Sequence, residues 1–310
     1  MYDSVDFKYR NYDAGGNFLS ETPKYIEVTG NHIFGDMEVI TGNVDGLKIS
    51  VNRNGVNAGK ASLCKWYHGD NFSTLTRIDT RRAIEKLSDI LHIPMHDATI
   101  SRVDVAHNFT MNHPTNVYFN HLGSFYPNKR LEQPDGIYYV NKKNNSIFYD
   151  KIKEQKIKGG TIPELYIGKN VLRYEMQFKT RLKDTFKVER VTASMLYDEQ
   201  FYSEIVNKWH VNYKSIKKIN DISINFEVMR TKKEFDLVAR LCFIQQQGGE
   251  LAMLKQIAEA QKKGELTRRQ ADKLKAATRA ACALNEDITK SSDVIQELDK
   301  KISRAVTFCK

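Results

Sequence analysis

The chain has 310 residues, 41% of them hydrophobic and 28% charged, with a formal net charge of +10 and a pI near 9.2. That length supports a real core in one large or two modest domains, and the composition excludes wholesale disorder. The positive excess points to a polyanion, nucleic acid before an acidic membrane surface; with no apolar run approaching a membrane span and no secretory signal pattern, a cytoplasmic location is expected.

Cys64, Cys242, Cys282 and Cys309 are far apart and are expected to be free thiols. Leu47 to Val51 predicts a hairpin strand, and Ala61 to Tyr67 a further strand. Gly55 to Ser62 does not make a phosphate-binding loop: its glycines are one residue too close, and Ala61 stands where the magnesium-binding hydroxyl belongs. A helix is predicted from Thr80 to Leu91 behind Asp79 or Thr80 as its cap, with Ala83, Ile84, Leu87, Ile90 and Leu91 at helical spacing. Ala98 to Ala106 reads as a strand, with Val103 and Val105 on one face, Arg102 and Asp104 on the other, and His107 following on the apolar side.

A helix from about Asn116 leads into a polar loop, Gly123 to Gly136. A hairpin follows, Ile137 to Val140 and Ile147 to Asp150, closed by Asn141 to Asn145. Leu172 to Lys179 alternates without interruption, which predicts a half-buried strand. Ala193 to about Asn220 is mainly helical, with Leu196, Tyr197, Phe201, Ile205, Trp209 and Tyr213 as an apolar face that suits a core better than a base-stacking platform. Asp221 to Val228 reads as a last strand.

Beyond about Arg230 the composition shifts to Ala, Leu, Lys, Glu and Gln. Helices are predicted over Lys233 to Gln247, Glu250 to Lys263, Arg268 to Leu284 and Asp293 to Val306, with Thr267 and Gln270 forming a capping box. Gly264 to Leu274 has the makings of a helix-turn-helix recognition helix, with Arg268, Arg269, Lys273 and Lys275 facing phosphates; the plainer reading is a solvated helix face.

Two strands share a pattern, Arg102-Val103-Asp104 and Arg173-Tyr174-Glu175, in which arginine and acid project from one face. Placed in one sheet, they offer two carboxylates to Mg²⁺ or Mn²⁺ and two guanidiniums to phosphate oxygens. Between them lies Ser146 to Glu154, which sets a tyrosine beside two acids and two lysines at a strand end, the equipment for attacking a phosphodiester with metal help.

Taken in order, Ile100 to Ala106, Phe148 to Glu154, Leu172 to Glu175 and the Leu196 to Tyr213 segment with Trp209 resemble the filamentous-phage gene II/X family of phage and plasmid rolling-circle replication initiators, over roughly residues 60 to 220. The resemblance implies an α+β catalytic domain at 1–229, with a central mostly antiparallel sheet flanked by helices, and a helical C-terminal region at 230–310. It implies site-specific nicking and joining of DNA in a bacterial host cell through a covalent 5′-phosphotyrosine on Tyr149. Asp104, Glu154 and Glu175 would hold the metal, with Asp150 as a fourth ligand or base. Lys151, Lys153, Arg102 and Arg173 would neutralise phosphates. The metal-binding His-x-His of the wider superfamily is absent, so the metal would rest on carboxylates, helped by His107. Tyr138, Tyr139 and Tyr174 are the fallback nucleophiles.

The expected partners are single-stranded or supercoiled origin DNA, a host helicase and a second copy of the chain. The rival readings are a non-catalytic origin- or nucleic-acid-binding protein and a plasmid mobilisation relaxase. The helical tail is expected to bind duplex DNA, recruit the helicase or mediate dimerisation.

Overall fold

The structure is a computed structural model that describes residues 1–11, 17–179, 182–219, 231–283 and 292–308. The strand expected over Asp221 to Val228, the 229/230 boundary and Cys309 lie outside those residues. The strands are β1 (Tyr2–Arg10), β2 (Glu27–Phe34), β3 (Met37–Val44), β4 (Leu47–Asn52), β5 (Gly55–Gly59), β6 (Thr99–Met111), β7 (Lys129–Gln133), β8 (Gly136–Val140), β9 (Asn144–Asp150) and β10 (Asn170–Phe178). They form one sheet in the order β2-β3-β4-β5-β1-β6-β10-β9-β8-β7, antiparallel throughout. Two meanders thus meet on the central pair β1 and β6, and the architecture is α+β.

The helices are α1 (Phe18–Glu21), α2 (Leu63–His68), α3 (Arg77–Leu91), α4 (Thr115–Asn120), α5 (Lys151–Ile157), α6 (Leu182–Phe186), α7 (Glu199–Lys214), α8 (Lys232–Gln246), α9 (Gly249–Lys262), α10 (Arg268–Cys282) and α11 (Asp293–Phe308). The chain divides into two compact units. One comprises Met1–Asn112, Pro127–Tyr213 and Ile302–Lys310, the other His113–Tyr126 and Lys214–Lys301.

Three local expectations are corrected. Ala61 to Tyr67 is not a strand: the Ser62 hydroxyl accepts from the Lys65 amide and starts α2, which buries Leu63, Cys64 and Trp66. The helix before Pro94 begins earlier than Thr80, because Thr76 caps it and Asp79 is the returning acid of a capping box. The polar stretch before Gly136 contains β7, which pairs with β8. The capping box of Thr267 and Gln270 is present at α10, as its sequence predicts.

In the first unit, α7 covers one face of the sheet. Alternation along β10 sends Leu172, Tyr174, Met176 and Phe178 to that face, where Phe148 of β9 stacks on Tyr174 at 4.3 Å and Tyr174 stacks on Trp209 of α7 at 4.7 Å. The single Tyr174 O–H has two acceptors in reach, the Trp209 carbonyl at 3.0 Å and Asn212 Oδ1 at 2.9 Å, so this buried phenol is a satisfied core group. The aromatics around Trp209 are core, as their spacing predicts.

Candidate active site

The same alternation sends Arg173 and Glu175 to the opposite face, where both are buried, so β10 is covered on both sides rather than half-buried. Antiparallel register then composes a row across three strands: Tyr149 of β9 lies opposite Arg173, and Arg173 lies opposite Asn108 of β6. The next rows pair Ile147 with Glu175 and Ala106, then Asn145 with Gln177 and Asp104. At the near edge of the first row, Gly136 of β8 is the partner of Tyr149. A Cβ there would meet the Phe148 carbonyl oxygen at 2.2 Å and Tyr149 Cβ at 2.8 Å, so the close approach needs glycine.

The row's other end is supplied by β1. Between Tyr2 and Val5 the register against β6 shifts in a bulge, and the intervening Asp3 is buried on the polar face. Asp3 Oδ1 stands 3.0 Å from Arg173 Nη2 and accepts from the Ser62 hydroxyl at 2.7 Å. Arg173 Nη1 also donates to the Asn71 carbonyl at 3.0 Å and to Asn108 Oδ1 at 3.2 Å. Its Nε–H is buried without a hydrogen-bond acceptor among the described residues, since Glu175 Oε2 at 3.6 Å is too far. Burial alone would raise the Asp3 carboxyl, but Arg173, Ser62 and Lys151 outweigh it and hold it below its ordinary value.

Tyr149 is partly exposed, and its hydroxyl has no hydrogen-bond partner among the described residues. Burial of the ring raises the phenol well above its usual 10; Arg173 opposes that rise, and Glu175, Asp3 and Glu154 add to it. The chain leaves β9 straight into α5, whose N-cap is Asp150: its Oδ1 accepts from the Lys153 amide at 2.8 Å. That turn buries Lys151, with Nζ 2.8 Å from Glu154 Oε2 and 5.4 Å from the Phe72 ring centroid. Burial and then Arg173 lower the Lys151 ammonium, with Glu154 acting against them. Glu154 also pairs with Lys158, and the two lysines outweigh its burial and keep it below the usual carboxylate range.

The sequence-predicted residues therefore fall into distinct groups. Tyr149, Arg173 and Glu175 share the polar face, and Glu154 and Lys151 adjoin Tyr149 from α5. Asp104 lies two rows away, where Arg102 grips it at 2.9 and 2.6 Å; burial nevertheless pushes its carboxyl up to about 7, with Glu175 adding to the rise. Asp150 registers with Leu172, on the other side of the strand from Tyr149, and is engaged as a helix cap. Lys153 Nζ reaches back to the Pro134 carbonyl at 2.9 Å. His107 registers with Tyr174, lies 3.2 Å from the Thr74 hydroxyl, and is lowered by burial to about 4. Arg268 and Arg269 open α10 in the second unit.

Asp3, Ser62, Asn71 and Asn108 join the site without a motif of their own in the sequence. The signal for Asn108 is strand parity, since it continues the Arg102-Asp104-Ala106 face of β6. Among the described residues no three His, Cys, Asp or Glu side chains come together so as to hold a metal ion. Each candidate acid already faces a cation or a helix N-terminus. The arrangement of the described residues thus does not fit a resident Mg²⁺ or Mn²⁺.

What fold and site define together is an antiparallel α+β protein with a solvent-reached tyrosine backed by a buried arginine on the polar face of its sheet. The family model for the N-terminal region of the phage gene II replication-associated protein matches residues 49–231, more than half of the chain, and the protein belongs to that family of phage replication proteins. No curated protein matches the chain. No helix among the described residues is long and apolar enough to cross a membrane.

Proposed function

We propose that the protein initiates rolling-circle replication by nicking origin DNA at the polar face, with Tyr149 as nucleophile. The observation that carries this reading is the Tyr149 hydroxyl itself: it has no hydrogen-bond partner among the described residues, it reaches solvent, and it lies in register with a buried guanidinium. Tyr174, on the opposite face of the sheet, satisfies its hydroxyl within the core instead.

In the proposed reaction the Tyr149 oxygen attacks the scissile phosphorus and the bond from phosphorus to the 3′ oxygen breaks. A phosphodiester between tyrosine and the DNA 5′ end forms, and the 3′ hydroxyl is released. The phenol, raised well above 10, is protonated at neutral pH and needs an acceptor. Of the three acids that act on it, Glu154 is engaged by two lysines and Asp3 by Arg173 and Ser62. Glu175 is held by one hydrogen bond from Gln177 and by Arg173 at the longer distance of 3.6 Å, and is the acid we assign to take the proton. Arg173, buried with Nη1 and Nη2 already engaged, would stabilise the charge of the scissile phosphate electrostatically from behind Tyr149. Lys151, its ammonium lowered by burial, would protonate the departing 3′ oxygen. The phosphotyrosine conserves the bond, so rejoining needs no nucleotide triphosphate, in keeping with the lack of a phosphate-binding loop.

Incubation with supercoiled or single-stranded origin DNA, followed by mass spectrometry of the peptide containing Tyr149, tests the assignment. An adduct on Tyr149 that is lost in Tyr149→Phe is the expected result; cleavage surviving Tyr149→Phe would sink it, and binding without any adduct would favour a non-catalytic origin binder. Running the assay in EDTA and then restoring Mg²⁺ or Mn²⁺ checks the separate proposal, drawn from the resemblance, that a divalent ion assists.

A further inference from the structure

The second unit contains three helices that pack on one another: α10 against both α9 and α8, and α8 against α9. Leu241 and Ile244 of α8 and Ala281 of α10 form their buried centre, with Leu237, Met253 and Cys282 packed around it. The five residues between α9 and α10 turn on Gly264, whose φ of 78° suits glycine, and Thr267 restarts the helix with its capping box. A helix, a glycine-bearing turn and a second helix, buttressed by a third, is the build of a helix-turn-helix unit.

The outer face of α10 has the matching chemistry. Its inner stripe, Ala271, Thr278 and Ala281, is buried, whereas Arg268, Arg269, Asp272, Lys273, Ala276 and Arg279 are exposed. From Lys255 to Arg279 there are eight lysines and arginines against three acids, an excess of five where the whole chain has ten. Solvated helix faces elsewhere set cations against acids one turn away, as Arg81 with Glu85, Lys208 with Glu204 and Lys301 with Glu297 do. Arg268, Arg269, Lys273 and Arg279 have no ion pair or side-chain hydrogen-bond partner among the described residues. Ala276 in the middle of the stripe leaves room for close approach of a groove wall. α10 lies beyond the family match, which ends at residue 231.

We infer that α10 is a recognition helix that binds duplex DNA in the major groove, with Arg268, Arg269, Lys273 and Arg279 on phosphates and base edges. The choice of DNA as polyanion rests on the replication reading above; the nicking chemistry is not needed for it. The test is equilibrium binding of the full chain to fluorescent duplex and single-stranded oligonucleotides of equal length across a salt series, with no cleavage step, so that an inactive Tyr149 leaves it readable. Arg268→Ala/Arg269→Ala/Lys273→Ala should weaken duplex binding at least about tenfold near physiological salt. It should also make the log affinity against log salt slope shallower by about 2 to 3, one counterion release per lost phosphate contact. Arg268→Lys/Arg269→Lys should keep the salt slope and lose preference among duplex sequences, since lysine lacks the bidentate fork. Unchanged duplex affinity and slope in the triple variant, or an equal loss on single-stranded and duplex DNA, would overturn the inference. Circular dichroism of each variant shows that a loss is not unfolding, because all three side chains are exposed.

Discussion

Asp3 and Arg173 are joined at 3.0 Å across the polar face, so the first strand of the chain fixes the guanidinium that stands behind Tyr149. A guanidinium this deeply buried is tolerable only with its charge answered, and Asp3 supplies the shorter of its two carboxylate contacts. Asp3→Asn should therefore cost about 3 kcal/mol of stability, measured by urea unfolding at neutral pH. Because the folded Asp3 carboxyl lies below its unfolded value, its contribution is complete above that value and is lost as pH falls through the folded one. The stability gap between wild type and Asp3→Asn should accordingly narrow on the acid side of about pH 4.

Asp104 has the opposite sign. Its carboxyl is raised to about 7, so between the ordinary value near 4 and about 7 the folded chain holds a proton that the unfolded chain has released. This group makes stability fall as pH rises through that window, by on the order of a few kcal/mol. Asp104→Asn should flatten the pH dependence of unfolding between pH 4 and 7 and be the more stable form above 7. Arg102, with 39% of its side chain exposed, can turn to water when its partner loses charge.

The Glu175 assignment predicts a change in the pH profile of nicking. With Glu175 as the proton acceptor and the phenol raised well above 10, single-turnover cleavage by the wild type should be nearly flat from pH 6 to 9. In Glu175→Gln the rate should be lower and climb about tenfold per pH unit, following the rare phenolate. Equal flat profiles in both proteins would assign the proton to another group.

Gly136→Ala tests the strand that shoulders Tyr149. The added methyl would press on the Phe148 carbonyl at 2.2 Å, so β8 must move off β9. We expect a loss of about 1 to 3 kcal/mol in thermal unfolding and, on the proposed reading, a larger fall in adduct formation than in DNA affinity, because Tyr149 loses its lateral support.

The elements with strong alternation were legible from the residues alone. β6, the β8–β9 hairpin and β10 all show it, and parity along β10 alone consigned Tyr174 to the core. The helical tail announced itself through its caps. Short elements misled: α2 is a single capped turn and a half whose apolar residues mimic strand alternation. What sequence could not show was which charge meets which. An Arg-x-acid strand looks like an open carboxylate until Arg102 is seen closing on Asp104, and on α5 Lys151 closes on Glu154 in the same way. Asp3 carried no local signal, because its role comes from a bulge and from a strand order that places β1 against β6.

That strand order also sets when Tyr149 and Arg173 can be brought together. Asp3 leaves the ribosome early and Ser62 follows soon after β5, yet the charged partner of Asp3, Arg173, arrives only with β10, and pairing strands so distant in sequence is slow. A partly synthesised or truncated chain ending before β10 would display Tyr149 without the guanidinium behind it. On the proposed reading, cutting competence would in this sense be a property of the completed sheet.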